Sequence, residues 1–123
     1  MWSSQADKKK DTLKKGKHYE DIACEYLKRN KYRIIEKNYR TRLGEIDLIC
    51  SHHNELVFVE VKGGKKLPEP FLRVNQQKLH RLERTMRHYL HHQENNYDYI
   101  RLDVISISEP DLEIKHFKDV LGY

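Results

Sequence analysis

The sequence is poor in the residues that mark several large classes of protein. Its 123 residues include 2 cysteines, 3 prolines and 5 glycines, and its longest uninterrupted apolar run is the four residues 56–59. A membrane-spanning helix needs about 20 apolar residues, and residues 1–17 contain no apolar segment of the kind found in a secretory signal. Cys24 and Cys50 match no metal-ligand or redox-motif spacing. We therefore expect a cytoplasmic protein with free or buried thiols and no membrane association.

Charged residues, in contrast, are abundant. They make up 35% of the chain, against about 25% in an average globular domain, and the net charge is +5. Lysines are concentrated in residues 8–17, a basic run of the kind that is more often a solvated tail than a nucleic-acid contact. We expect a disordered basic tail over residues 1–12 and one domain with a small core over residues 13–123, a length typical of a single domain.

The spacing of the apolar residues predicts a mixed sheet flanked by helices, in the order αβββαββ. Alternation of apolar and polar residues marks the strands, and the stretch 36–42 is polar enough to be a loop. We expect Asp103 to interrupt one strand and Gly63–Gly64 to end another. The predicted elements are a helix at 17–30, strands at 32–35, 45–51 and 55–62, a loop at 65–71, a helix capped by Asn75 and ending near His92, and strands at 99–107 and 112–117.

The central hairpin places two carboxylates against each other. Side chains alternate between the faces of a strand, and a short turn at His53–Asn54 sets a register in which Asp47 lies opposite Glu60, with Lys62 diagonal to Asp47. Like charges at opposed positions destabilise a sheet. Either the pair holds a divalent cation such as Mg²⁺, which typically binds one or two carboxylates, or it faces solvent and Lys62 neutralises it. The same alternation puts three residues together on the other face: Ile46, Leu48 and Cys50.

The segment D47…E60-V-K62 resembles the PD-(D/E)XK signature of restriction-endonuclease-like nucleases, and the chain as a whole is similar to the YraN family of small bacterial proteins. The similarity extends from residue 16 to about residue 120. The matching segments are EDIACEYL (20–27), NYRTRLGEIDLI (38–49), LVFVEVK (56–62), VNQQK (74–78), RLDV (101–104) and HF (116–117).

This resemblance implies a restriction-endonuclease-like fold related to Holliday-junction resolvases. It implies a metal held by Asp47 and Glu60, with Lys62 as the catalytic lysine. Glu20 matches an additional acidic residue that this fold often brings to the metal, although the residues alone are equally consistent with a solvated acid on the first helix. The chain departs from the family in two places: Gly63–Gly64 follow the lysine where an arginine or similar polar residue is usual, and Tyr19 precedes Glu20 where a small residue is usual.

The second long helix carries a basic face that is a candidate surface for nucleic acid. Such faces are often merely solvated, but Lys78 matches a family position near the cleft, and we expect Lys78 and Arg81 to contact phosphates. The polar residues grouped at helical spacing on this face are Gln77, Lys78, Arg81, Arg84 and His88. None of the eight histidines has a partner at metal-ligand spacing, so we expect all of them at the surface.

The leading hypothesis is a Mg²⁺- or Mn²⁺-dependent nuclease that acts on DNA, in branched or single-stranded form. Its alternative is a nucleic-acid-binding module that keeps the nuclease fold without hydrolysis. A third hypothesis is a protein–protein adaptor that uses the tyrosines, 8 of the 12 aromatic residues, at an interface.

Overall fold

Apolar residues that alternate along the middle of the chain form the centre of a five-stranded sheet. The computed structural model describes residues 5–65 and 76–122, with side chains from Lys14 onward. Its elements follow the predicted order, and the α/β class is confirmed. They are α1 (Gln5–Arg29), β1 (Arg33–Arg40), β2 (Glu45–His52), β3 (Glu55–Lys65), α2 (Gln76–His91), β4 (Tyr99–Glu109) and β5 (Glu113–Phe117).

The sheet is mixed, as predicted, with the strands in sequence order from β1 to β5. β3 and β4 pair in parallel from Glu55↔Tyr99 to Lys65↔Glu109, and the other three pairings are antiparallel. Parallel neighbours require a crossover connection, and α2 lies in that connection. The hairpin register is confirmed, with Ser51 opposite Leu56 and Ile49 opposite Phe58.

The two helices cover opposite faces of the sheet. Val57 and Val59 pack in a buried cluster with Leu27 of α1, whereas the intervening Phe58 packs in a second cluster with Met86 of α2. The residues of β3 therefore contribute alternately to the two buried clusters, because successive side chains of a strand point to opposite faces of the sheet. Cys24 and Cys50 are buried free thiols, as expected. Within residues 5–65 and 76–122, no helix combines the length and apolarity needed to cross a bilayer.

Helix α1 begins at Gln5, well before the predicted start at Lys17. Residues 5–12 of the expected tail lie in this helix, and residues 1–4 lie outside the described part of the chain. The disorder of the tail stays a prediction. This segment contains no proline and is rich in lysine, which propagates a helix readily. The same segment has no apolar residues at helical spacing, so the sequence pattern does not reveal a helix there.

Three strands are longer than predicted, in each case because backbone pairing continues where the side-chain pattern stops. β1 continues to Arg40 through the stretch expected to be a loop. It is an edge strand whose backbone pairs with β2, and most of the side chains of β1 are exposed, so the sequence shows no apolar alternation there. β3 continues through Gly63–Gly64, which pair with β4. β4 passes through Asp103 without a break. The predicted cap Asn75 and most of the predicted loop at 65–71 lie outside the described residues.

Candidate active site

The regular alternation of side chains between the two faces of the sheet breaks in β1 and β2 near Asn38 and Asp47, which lie between the paired positions Lys37↔Leu48 and Tyr39↔Ile46. Leu48 packs on the α1 side of the sheet, but Ile46, two residues earlier, packs on the α2 side. The prediction that Ile46 shares a face with Leu48 is therefore wrong. Asn38, between the paired positions Lys37↔Leu48 and Tyr39↔Ile46, has a left-handed backbone with φ of 52°. The change of face between Ile46 and Leu48 of β2 therefore lies beside this left-handed residue of β1.

The carboxylate of Asp47 is directed at β3. The backbone pairing between β2 and β3 ends at Leu48↔Val59. Asp47 and Glu60, which were predicted to be the next opposed pair, are therefore not paired through their backbones. Asp47 Oδ2 instead accepts a hydrogen bond of 2.7 Å from the backbone N–H of Val61. A buried N–H needs an acceptor, and this carboxylate takes the place of the missing strand carbonyl. The Asp47 and Glu60 side chains nevertheless line the same two clefts and lie close enough for each to influence the ionisation of the other.

The convergence of two carboxylates changes the chemistry of Asp47. Burial, together with the hydrogen bond and the negative charge of Glu60, raises the pKa of Asp47 to about 8. The Val61 N–H and the charge of Lys62 act in the opposite direction. The pair therefore resists full ionisation in the folded protein, because two buried carboxyl groups this close do not readily both become charged.

Glu20 reaches the same centre from α1. Burial raises the pKa of Glu20 and the charge of Asp47 raises it further, while a hydrogen bond from Asn38 opposes both effects. Glu20 and Asp47 line two clefts together. The structure thus brings the third predicted acid to the Asp47–Glu60 pair.

Two lysines lie beside the acidic pair. Burial lowers the pKa of Lys62, and a hydrogen bond and the charge of Lys78 lower it further. Lys78 Nζ also lies 3.6 Å from Glu60 Oε2. Lys78, expected to bind only phosphate, therefore contacts the acidic pair itself. Arg81, one turn further along α2, lines the cleft beside Lys78.

Three clefts meet at Asp47. The α2 cleft (410 Å³) lies between Gly44 and α2, the β3 cleft (510 Å³) between α1 and the end of β3, and the β1 cleft (620 Å³) between α1 and β1. Basic side chains line each of them around the acidic centre. They are Lys78 and Arg81 in the α2 cleft, Lys15, Lys62 and Lys65 in the β3 cleft, and Lys17, Lys37 and Arg40 in the β1 cleft.

The donor set at this centre suits a hard divalent cation. Within the described part of the chain, no three or more His, Cys, Asp or Glu side chains form a group able to hold a metal ion. Mg²⁺ needs fewer protein ligands, because it usually keeps several waters and binds one or two carboxylates. Asp47 and Glu60 supply two.

The two departures from the family pattern contact each other. A Cβ atom on Gly63 would lie 2.2 Å from the ring of Tyr19, so this ring fits against β3 only because residue 63 has no side chain. Tyr19 precedes Glu20 and Gly63 follows Lys62, so their contact fixes the approach of α1 to β3 beside the acidic pair.

Gly63→Ala should therefore lower the free energy of unfolding by about 1–3 kcal/mol, the usual cost of overpacking. The matched control is Gly16→Ala, because a Cβ at Gly16 meets no described atom within 4 Å. That change should stabilise α1 by roughly 0.5–1 kcal/mol, the cost of glycine in a helix interior. Chemical denaturation of both variants measures the difference, and equal effects of the two changes would contradict this packing.

A second polar cluster, which sequence analysis missed, is buried on the α1 side of β4. His116 is only 5% exposed and bonds to Asp103 at 2.7 Å and to the hydroxyl of Tyr26 at 3.0 Å. Its expected place at the surface is wrong. Arg101 joins the cluster through Asp103 and Tyr32. The signal that could have revealed it is an aspartate between apolar residues of a strongly β-forming segment.

The sequence profile of the family described as "Uncharacterised protein family UPF0102" matches residues 19–107. The UPF0102 protein of Pseudothermotoga lettingae is 38% identical over 104 residues, which are 85% of this chain and 95% of that protein. The Kosmotoga olearia protein is 40% identical over 109 residues (89% and 94%), and the Tropheryma whipplei (strain Twist) protein is 37% identical over 110 residues (86% and 92%). The matched region contains Glu20, Asp47, Glu60 and Lys62. The chain belongs to the UPF0102, or YraN, family.

Proposed function

We propose that this protein is a metal-dependent nuclease with a restriction-endonuclease-like fold that cleaves phosphodiester bonds in DNA. The observation that carries the proposal is the approach of Asp47 and Glu60, with Lys62 beside them, where three clefts meet. Two carboxylates that repel each other destabilise the fold unless a ligand uses them. Each cleft also has basic side chains among its acids, and a divalent cation on the two carboxylates would add positive charge that attracts a polyanion.

Asp47 and Glu60 would hold Mg²⁺ or Mn²⁺. Asp47 Oδ2 is engaged by Val61, which fixes the carboxylate and leaves its other oxygen for the ion. A bound divalent cation supplies positive charge opposite the scissile phosphate and acidifies water.

The remaining side chains have separate roles. Lys62, half-buried on β3 beside the pair, positions the attacking water or stabilises the charge that develops on the phosphate. Lys78 and Arg81 would bind flanking phosphates, which fixes the register of the nucleic acid without reading its sequence. Glu20 lies on the opposite side of Asp47, in the β1 and β3 clefts.

One contact favours the second candidate function, a nucleic-acid-binding module without hydrolysis. The ion pair between Lys78 and Glu60 gives the acidic pair a cation from within the chain, as in a site that has lost its metal. A protein–protein adaptor built on tyrosines has less support, because Tyr19 and Tyr32 are core residues, and Tyr99 is the large exposed aromatic among the described residues.

The decisive experiment is a cleavage assay on duplex, single-stranded, flap and four-way DNA with Mg²⁺ or Mn²⁺. We expect cleavage of at least one substrate, with a loss of about 10²–10³-fold in kcat for Lys62→Ala and a comparable loss for Asp47→Asn. The control is Lys28→Ala, an exposed lysine on α1 that lines none of the three clefts. No cleavage by the wild type, or equal cleavage by Lys62→Ala, would contradict the proposal. Salt-dependent binding without turnover, unaffected by Asp47→Ala, would favour the binding module.

The basic α2 cleft makes a separate prediction about affinity. Arg81→Ala should weaken binding equally for DNA of different sequences and reduce the slope of log K against log salt by about one, the effect of losing one phosphate contact. Arg87→Ala is the matched control, because Arg87 is exposed on the same helix but lies in a cleft away from Asp47. Affinity measured between about 50 and 200 mM salt gives both slopes. Equal slopes for the two variants would indicate that Arg81 is exposed to solvent and does not contact the DNA.

A further inference from the structure

Asn38 occupies an unusual backbone position within a strand. Its φ of 52° falls in the left-handed region, which side chains other than glycine rarely adopt and which asparagine tolerates better than most. Such conformations cost energy, persist where the surrounding structure holds them, and cluster at functional sites. This one lies in the middle of β1, between residues that are regularly paired with β2.

The position of Asn38 decides what surrounds the acidic centre. On one side of it, Lys37 pairs with Leu48 of the α1 cluster. On the other side, the ring of Tyr39 packs edge-on against Tyr89 of α2. β1 therefore changes faces at Asn38, and its side chain enters the β1 cleft together with Glu20 and Asp47.

Asn38 lines the β1 cleft together with Glu20, and a hydrogen bond from its side chain is one of the causes that set the pKa of Glu20, which it lowers. The Glu20 and Asp47 carboxylates repel each other, so a group that holds Glu20 in place must be a neutral or positive donor. The amide of Asn38 is such a donor, and β1 presents it from the side opposite α1. Lys17 and Lys37 also line this cleft, but of these three residues only Asn38 is among the causes that set the pKa of Glu20.

We propose that Asn38 is a positioning residue of the active site: its amide, aimed by a left-handed backbone, holds the Glu20 carboxylate beside Asp47. The role of this contact in metal binding rests on the proposed nuclease function. The existence of the contact does not depend on that function, so the contact and the function can be tested separately.

The contact is tested first in chelator, with Asn38→Gly and Glu20→Ala made singly and together. Glycine adopts a positive φ without steric cost, so Asn38→Gly removes the amide and keeps the backbone. We expect Asn38→Gly to raise the unfolding constant about fivefold more in the wild-type background than in the Glu20→Ala background, the worth of one typical hydrogen bond. Asn54→Gly is the matched control, because Asn54 also has a left-handed backbone, with φ of 61°, but lies in the β2–β3 turn.

A Mn²⁺ titration followed by thermal unfolding then separates positioning from simple structural support. We expect Asn38→Gly to raise the Mn²⁺ concentration at the midpoint of the stability response by roughly 10-fold, the lower end of the range for lost outer-shell partners. It should cause no further rise in the Glu20→Ala background, and Asn54→Gly should leave the midpoint unchanged.

The outcomes distinguish this proposal from the proposed function. Equal effects of Asn38→Gly with and without Glu20 in chelator would overturn the proposal. So would an unchanged Mn²⁺ midpoint in Asn38→Gly when the wild type responds to Mn²⁺. A wild type with no metal response counts against the nuclease function, and the experiment in chelator still decides whether Asn38 holds Glu20.

Discussion

Replacing Asp103 with Ala should lower the free energy of unfolding by about 3–5 kcal/mol, the usual loss when one partner of a buried ion pair is removed. Asp103 is fully buried, and its carboxylate accepts hydrogen bonds from Arg101 at 3.0 Å and from the backbone N–H of Asp119 at 3.0 Å. It also bonds to His116 at 2.7 Å. Without it, the guanidinium of Arg101 keeps Glu55 as its remaining acidic partner, and His116 and the Asp119 N–H lose an acceptor.

The pH dependence of this loss has a definite sign. Burial alone raises the pKa of Asp103, but hydrogen bonds from His116 and Arg101 outweigh it and hold the pKa below its usual value of 3.8. A carboxylate with a lowered pKa stabilises the fold above that usual value, and the stabilisation is lost as pH falls through the folded-state pKa. The gap between wild type and Asp103→Ala should therefore be widest near neutrality and narrow in acid.

Denaturant unfolding between pH 3 and 7 measures the gap. Asp111→Ala is the control, because Asp111 is an exposed carboxylate in the turn after β4, where substitutions usually change stability by less than about 0.5 kcal/mol. Similar losses for the two variants would show that the cluster is not a determinant of the fold.

The hairpin was predictable because its information is local. A period of two with one buried face specifies register strongly, since a slip by one residue would expose the whole apolar set. A short turn at His53–Asn54 is then compatible with a single register between β2 and β3. The proximity of Asp47 to Glu60 follows from that register, and it is the part of the site that the sequence alone predicts.

The orientation of Asp47 could not be predicted in the same way. The alternation of faces in β2 breaks between Ile46 and Leu48, beside the left-handed Asn38 of β1, and such a break leaves no trace in the spacing of apolar side chains. Asparagine tolerates this left-handed conformation, so the residue type permits it but does not require it. Tyr19 and Gly63 are a similar case, because their contact joins residues from α1 and β3.

His116 illustrates a third limit. Its partners Tyr26 and Asp103 lie on α1 and β4, and the burial of a histidine depends on whether such distant groups meet its two ring nitrogens. Spacing along the chain identifies metal ligands, but it contains no information about a hydrogen-bonded cluster assembled from four elements of the fold. The aspartate in β4, interpreted as a break, is instead the centre of that cluster.

Asp47→Asn should make the metal-free protein more stable at neutral pH. The folded-state pKa of Asp47 is raised from 3.8 to about 8, and a carboxyl with a raised pKa loses its contribution to stability as pH rises through this interval. Asparagine resembles the protonated carboxyl and can still accept the hydrogen bond from Val61. A shift of about four units corresponds to roughly 5 kcal/mol at most, and Glu60 shares the titration, so we expect a gain of about 2–3 kcal/mol at pH 8 in chelator.

The dependence on pH and metal distinguishes this explanation from a simple surface effect. The gain should be near zero at pH 4 and grow towards pH 8, whereas the stability of the control Asp98→Asn, at an exposed carboxylate away from Asp47, should change little across the range.

Millimolar Mg²⁺ or Mn²⁺ should stabilise the wild type by RT ln(1 + [L]/Kd) and the Asp47→Asn variant by less, because one ligand has lost its charge. If Lys62 merely neutralises an exposed cluster, the ion pair is worth about 0–1 kcal/mol. Asp47→Asn would then be neutral or destabilising in chelator, and metal would shift both proteins equally.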